Sequence, residues 1–168
     1  MRCITLLLLI SHVSSEFLDS NGRLTQVEYA NIASTKGGTV IGICSDDVAV
    51  LLAWSACSDR NVEPTQKVNR ITDFIGVSSS GIVSDVNFIT DRMFEEATEH
   101  SFIFGCDPVP LRLAMSLANY VHERTISARY RPLGLRTCIA SFNDVSKASI
   151  LEIDAIGNVH KCKLTCIG

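Results

Sequence analysis

Two amphipathic helical patterns follow one another between Asp85 and Val121, and strand-like segments joined by tight turns lie on both sides of them. In the first, Val86, Ile89, Met93 and Ala97 share one face, with Asp85, Asp91, Glu95 and Glu96 off it. Pro108 and Pro110 punctuate, and Pro110 suits the first turn of a second helix whose apolar face is Leu113, Leu117 and Val121. Two consecutive helices cannot serve as crossovers for a parallel sheet, so they are expected to lie antiparallel on one face of an antiparallel sheet. The fold class expected is therefore α+β, built in layers.

The flanking segments fit that scheme. Asp19-Ser20-Asn21-Gly22 signals a turn before a helix from Arg23, in which Leu24, Val27 and Ala30 recur at helical spacing. Lys36-Gly37-Gly38 is expected to end that helix through a left-handed glycine. Thr39 to Ile43 and Val48 to Trp54 read as a hairpin around Ser45-Asp46-Asp47, and residues Ser55 to Pro64 as a polar loop. Arg70 to Ser80 reads as one further strand. Arg131-Pro132 breaks the second long helix, after which Leu135 to Phe142, Ile150 to Asp154 and Val159 to Leu164 are three closing strands. Turns at Asn143-Asp144 and Ile156-Gly157-Asn158 separate them.

Composition excludes several functions. With 168 residues the chain has the size of one domain, and a formal net charge of −3 without a Lys/Arg block argues against nucleic-acid binding. Seven scattered cysteines (Cys3, Cys44, Cys57, Cys106, Cys138, Cys162, Cys166) form neither a disulfide framework nor a zinc-ligand spacing. They read as reduced, small apolar core residues, and neither a metal nor another cofactor is expected. The histidines His12, His100, His122 and His160 are dispersed and read as surface or capping residues; Asp46-Asp47 reads as a solvated turn. Nucleophile-elbow, zinc-protease and phosphate-loop motifs are all absent from the sequence. Residues 1–16 form an apolar leader-like segment: Arg2 precedes an apolar run from Cys3 to Ile10, with small residues near Val13 and Ser15. The run is too short to span a bilayer. A secretory signal, a divergent tail and a mispredicted first exon all fit it.

GRLTQVEYA, from Gly22 to Ala30, resembles the N-terminal signature of proteasome α subunits. Further matches follow in that family's order: Lys36 to Ile43, Ser80 to Met93, Asp107 to Ala114, the Arg131-Pro132-Leu133-Gly134 turn, Ile153 to Val159, and Thr165 to Gly168. The resemblance covers residues 17–168 and is nearest to type-4 α subunits, the α3 ring position, through Ser84-Asp85-Val86-Asn87-Phe88-Ile89-Thr90 and the terminal Thr165-Cys166-Ile167-Gly168. It implies an Ntn-hydrolase αββα sandwich, incomplete at its C-terminus because family members continue past this point.

The resemblance also implies what the residues do. Catalytic β subunits of this fold use an N-terminal threonine whose own amine helps accept the proton. The nucleophile position falls here at Gly38, the acidic position at Trp54, and only the lysine position is occupied, by Lys67. Thr39 is internal. A non-catalytic, structural α subunit is implied, contributing to α-ring assembly, gating and regulator docking in ubiquitin-dependent degradation in cytoplasm and nucleus. Its partners would be the other α subunits of a heteroheptameric ring, β subunits, and regulatory-particle ATPases or other activators, with no membrane and no nucleic acid. In the family the lysine matched by Lys67 lines a pocket for the C-terminal carboxylate of an activator, and Gly37 and Gly81 match glycines that admit the tail's backbone. Leu24, Val27 and Tyr29 are the expected inter-subunit contacts. The segment Trp54-Ser55-Ala56-Cys57 departs from the charged stretch usual in the family, and Trp54 is expected to pack in the core. No Tyr-Asp-Arg gating motif precedes Gly22. Two rival readings are a catalytic, β-like or stand-alone hydrolase with Thr39 exposed by processing, and a secreted or non-proteasomal relative.

Overall fold

The computed structural model describes residues 19–54, 66–127, 129–143 and 147–168. The leader-like segment with Cys3 and His12, the whole loop from Ser55 to Pro64 with Cys57, and Asp144 lie outside the described residues. Three helices are present: α1 (Thr25–Thr35), α2 (Val83–Phe104) and α3 (Pro110–Ile126). Eight strands accompany them: β1 (Val40–Cys44), β2 (Ala49–Ala53), β3 (Val68–Arg70), β4 (Ile75–Gly81), β5 (Leu135–Asn143), β6 (Lys147–Ile153), β7 (Val159–Cys162) and β8 (Leu164–Ile167).

The strands form two antiparallel sheets, ordered β3-β4-β5-β6-β7 and β2-β1-β8. Side chains alternate across a strand, and that alternation assigns each residue to a layer. On β5 and β6, Ile139, Leu151 and Ile153 face α2 and α3 and meet Ile89, Met93, Leu113, Leu117 and Val121 in the larger core. The intervening Cys138, Ala140 and Ile150 face the other way and pack with Val40 and Ile167 between the sheets. The layers are thus helices, five-stranded sheet, three-stranded sheet, as the two consecutive helical patterns require. Ile43, Val50, Leu52 and Leu164 on the outer face of the smaller sheet are exposed.

Several expectations need correction. The segment read as one strand from Arg70 to Ser80 is a hairpin. The Ile71 and Thr72 amides donate to the Ile75 carbonyl at 2.9 and 3.2 Å, and Arg70 pairs with Asp73 across the turn. The closing segment from Val159 to Leu164 changes sheets at Lys163, whose carbonyl accepts from the Cys44 amide at 2.8 Å. Neither break carries glycine or proline, so local signals did not mark it. Helix α1 ends on Lys36 in an ordinary right-handed conformation (φ −88°, ψ −1°), and Gly37 and Gly38 are not left-handed. Their lack of a side chain has another use, described below. Trp54 is 65% exposed and does not pack in the core. Of the cysteines, Cys138 is fully buried, whereas Cys106 and Cys166 are exposed and Cys44 and Cys162 half-buried.

Asp85 is the most consequential correction. It lies in the first turn of α2, and its side chain is buried rather than on the solvent side. Its carboxylate accepts two bonds from the Arg131 guanidinium, at 2.8 and 2.6 Å, and one from the Gly134 amide at 3.1 Å. This fixes the start of α2 to the loop that enters β5. A bidentate guanidinium–carboxylate pair is among the stronger polar contacts a protein makes, and removing one partner strands the other. At the β6–β7 turn, Asp154 Oδ1 accepts from the amides of Ile156, Gly157 and Asn158, each at 2.9 Å. Burial alone would raise its pKa, but these bonds outweigh it and hold the carboxyl below its ordinary value.

Asp85→Ala is expected to lower the unfolding free energy by about 2–3 kcal/mol in urea titration, because Arg131 and the Gly134 amide lose their acceptor together. Arg131→Ala should cost a comparable amount, since it leaves the buried Asp85 carboxylate with the Gly134 bond alone of the three, whereas the half-exposed Arg131 left by Asp85→Ala can be solvated. Small effects of both would show that the clamp does not hold α2.

Candidate functional site

The α1–β1 connection, the end of β2, the residue preceding β3 and the end of β4 converge at one end of the two sheets. Gly37 stands against Ser80-Gly81: a Cβ on Gly37 would lie 2.2 Å from the Gly81 nitrogen and 2.2 Å from Ser80 Oγ. Ser80 Oγ donates to the Ser34 carbonyl at 3.3 Å, tying β4 to the last turn of α1. Gly81 has φ +136° and sits on the Gly134 carbonyl, which accepts from the Ile82 amide at 3.0 Å. The backbones of three elements therefore meet where any side chain would intrude. Close internal packing accounts for glycine at Gly37 and Gly81.

Lys67 lies beside the next residue. A Cβ on Gly38 would fall 2.0 Å from Lys67 Nζ and 2.5 Å from the Trp54 carbonyl oxygen. The half-buried ammonium thus fills the space a side chain at Gly38 would need. It donates to the Trp54 carbonyl at 3.3 Å. Among the described residues no carboxylate forms an ion pair with it. The segment is held on both sides: the Trp54 amide donates to the Thr39 carbonyl at 2.8 Å, and Ser78 Oγ to the Lys67 carbonyl at 2.8 Å. Thr39 has its nitrogen in a peptide bond within the chain.

The structure brings Lys67, Gly37 and Gly81 to one place. What this arrangement offers chemically is a cation bonded to a neutral carbonyl, with glycine on the adjacent backbone. A hydroxyl nucleophile at Gly38 and an ionisable group at Trp54 are both missing. The exposed Trp54 indole and the Trp54 carbonyl were not legible as parts of this corner, because a backbone acceptor leaves no trace in residue type.

The expected contact residues separate from one another on α1. Leu24, at the N-cap, and Tyr29 are exposed, while Val27 is half-buried. Ile32, one helical turn beyond Tyr29, is also exposed and extends the same stripe. It was missed, although the three-residue spacing from Tyr29 was there to be read. Ala30 and Ser34 supply the buried face of α1.

Other candidate chemistry stays dispersed. His100 Nδ1 lies 3.1 Å from the Cys106 carbonyl near the end of α2, and His122 and His160 are exposed. The Cys138 thiol is pushed up to about 12, first by burial and then by Glu152, which keeps it protonated and unreactive. Among the described residues no group of three or more His, Cys, Asp or Glu side chains could hold a metal, and no helix is long and apolar enough to cross a membrane.

Gly37→Ala is expected to destabilise the fold by about 1–3 kcal/mol, because the obstructing atoms include backbone that cannot rotate away. Gly76→Ala is the matched control: its Cβ would meet nothing closer than 3.8 Å. Its effect should stay within about 0.5 kcal/mol. Thermal or chemical melts of the two variants side by side check this.

Comparison with known proteins adds the family. The model for "Proteasome subunit" matches residues 34–168. The chain is 32% identical over 149 residues to proteasome subunit alpha type-3 of Drosophila melanogaster, covering 87% of this chain and 58% of that protein. It is 32% identical over 151 residues to a proteasome subunit alpha of Thermococcus sibiricus, covering 88% of this chain and 57% of that protein. It is 33% identical over 151 residues to a proteasome subunit alpha of Methanoculleus marisnigri, covering 88% and 62%. The chain therefore spans about three fifths of the length of these relatives. The layered α+β architecture is that of the Ntn-hydrolase-type proteasome fold.

Proposed function

This chain belongs to the proteasome subunit family, and we propose that it acts as a non-catalytic, structural α subunit of the 20S core. In that role it builds the α ring, takes part in gating and docks regulators during ubiquitin-dependent protein degradation. The observation that carries the reading is Gly38, which offers no hydroxyl where the resemblance places the nucleophile. Threonine chemistry of this fold needs a hydroxyl beside a free amine. Gly38 carries no side chain, and the volume where one would stand holds Lys67 Nζ and the Trp54 carbonyl.

The partners proposed are the other α subunits of a heteroheptameric ring, the β ring, and regulatory ATPases or other activators, in cytoplasm and nucleus. The names of the relatives favour an α identity over a β one. The Ser84 to Thr90 run and the terminal Thr165 to Gly168 segment favour the type-4 position. Exposed Leu24 and Tyr29 on α1 support a neighbour contact there, with Val27 behind them.

Lys67 is proposed to receive the C-terminal carboxylate of a docking activator. Its ammonium donates to one neutral carbonyl, and an ammonium has three N–H donors, so donors remain for a carboxylate. Gly38 lies beside it, and Gly37 and Gly81, the glycines proposed to admit the tail's backbone, sit at the same corner, packed against Ser80 and Gly134.

Purification of native 20S particles followed by mass spectrometry tests assembly: this chain should be present in the α-ring complement. Its absence, with another type-4-like subunit in its place, would refute the role. Lys67→Ala should weaken activator binding by about 10- to 100-fold, the worth of one charge-assisted hydrogen bond, and leave ring assembly intact. Peptide hydrolysis by the purified chain that disappears in Thr39→Ala would establish the catalytic alternative instead.

A further inference from the structure

Two cysteines meet where the chain changes sheets, at the end of β1 away from Lys67. Cys44 ends β1 and packs against the smaller core of Val40, Cys138, Ala140, Ile150 and Ile167. Cys162 ends β7 and stands opposite Ile150 of β6. Residues paired across two strands share a face, so Cys162 also turns toward the layer between the sheets. The Cys44 thiol donates to the Cys162 carbonyl at 3.4 Å. The Cys44 amide donates to the Lys163 carbonyl at 2.8 Å, which sets Cys162 one residue from the position opposite Cys44. A strand spacing of about 4.8 Å and a rise of about 3.3 Å per residue then put the two Cα atoms about 6 Å apart. Disulfides commonly span that separation. The thiols also sense each other: burial, then Glu152 and then Cys44, push the Cys162 thiol above its ordinary value.

The other described cysteines lack this setting. Cys138 is fully buried, with its sulfur against β1, where a Cβ on Gly42 would fall 2.7 Å from it. Cys106 and Cys166 are exposed. Cys44 and Cys162 are half-buried and line one cavity of about 350 Å³ beside the β1–β2 turn, through which a small reagent reaches them.

We propose that Cys44 and Cys162 form a redox-modification site: a small disulfide of the glutathione type oxidises them to a reversible intramolecular disulfide that staples the two sheets together. The thiolate of one cysteine attacks one sulfur of the reagent, forming a mixed disulfide and expelling one thiolate. The second cysteine's thiolate then attacks the protein sulfur of that mixed disulfide and expels the other. One S–S bond replaces another, two electrons pass from the protein to the reagent, and the two thiol protons end on the released thiols. In the reduced chain the Cys44 amide and thiol bonds tie β1 to the switch at Lys163. The disulfide closes a covalent loop from Cys44 to Cys162, and closing so long a loop restricts the unfolded chain strongly. The pair plays no part in the α-subunit role proposed above and holds or fails independently of it.

Equilibration of the full chain with graded ratios of oxidised to reduced glutathione, followed by alkylation and peptide mass mapping, tests the site. A peptide pair joined through Cys44 and Cys162, lighter by two hydrogen atoms, is expected at oxidising ratios, with Cys138 left free. The oxidised chain should melt about 5–10 °C higher than the reduced chain, and dithiothreitol should reverse the rise. Cys44→Ser and Cys162→Ser should each abolish the link and the rise, whereas Cys106→Ser/Cys166→Ser should keep both. The link is read on the wild-type chain, so a variant that fails to fold leaves the test intact. Cys44 and Cys162 remaining unlinked at every ratio, either of them linked to a different cysteine, or a melting rise that persists in Cys44→Ser would each overturn the proposal.

Discussion

The buried Asp85 carboxylate is the hinge pin of this architecture. It joins the first turn of α2 to Arg131 and to the Gly134 amide, residues that stand directly before β5. Because β5 is the central strand of the five-stranded sheet, this clamp sets the height at which the helical layer meets the sheet. The same carboxylate keeps Gly134 in place against Gly81, and Gly81 in turn against Gly37. Burying an acid is costly unless every oxygen is matched. Here both oxygens are, so the charge is converted into positional information for α1, β4 and β5 at once.

That chain of backbone contacts explains why the corner around Gly38 is architectural. The close approach of α1 to β4 leaves Lys67 pointing into the volume beside Gly38, where it meets the Trp54 carbonyl. A lysine in such a place serves acid–base chemistry only if a nucleophile or a carboxylate shares its site. Glycine and an exposed indole occupy those positions, so what persists is a fixed positive charge near the end of both sheets. The proposed α-subunit role draws on that charge as a recognition element. Exposed apolar residues elsewhere, such as Phe102, Phe104 and Tyr29, accord with a subunit that meets neighbours.

The two ends of β1 divide the chemistry. One end presents Lys67 among tightly packed glycines, a rigid setting in which a single charge is held by backbone. The other carries Lys147, Lys161 and Lys163 on the strand ends around the β1–β2 turn, exposed and, among the described residues, without an ion pair. Both arise from β1 lying in the middle of its sheet, hydrogen-bonded to β2 and β8, so that its termini become meeting points for distant segments.

Much was determined by the sequence alone. Helical periodicity located α2 and α3 with their buried Ile89, Met93, Leu117 and Val121, and strand patterns with turn residues located β1, β2, β5 and β6. The Gly22 to Ala30 signature pointed to the family, and through that resemblance Gly38, Trp54 and Lys67 suggested the non-catalytic role proposed above. The rest was decided by tertiary structure. Asp85 looked like a solvent-facing residue because periodicity describes one helix and its acceptor role depends on Arg131 and Gly134, 46 and 49 residues away. The sheet switch at Lys163, the exposure of Trp54 and the use of Gly37 for backbone contact share that origin. Propensity and spacing act over a few residues, whereas these features follow from which distant backbones come within van der Waals reach once the layers have packed.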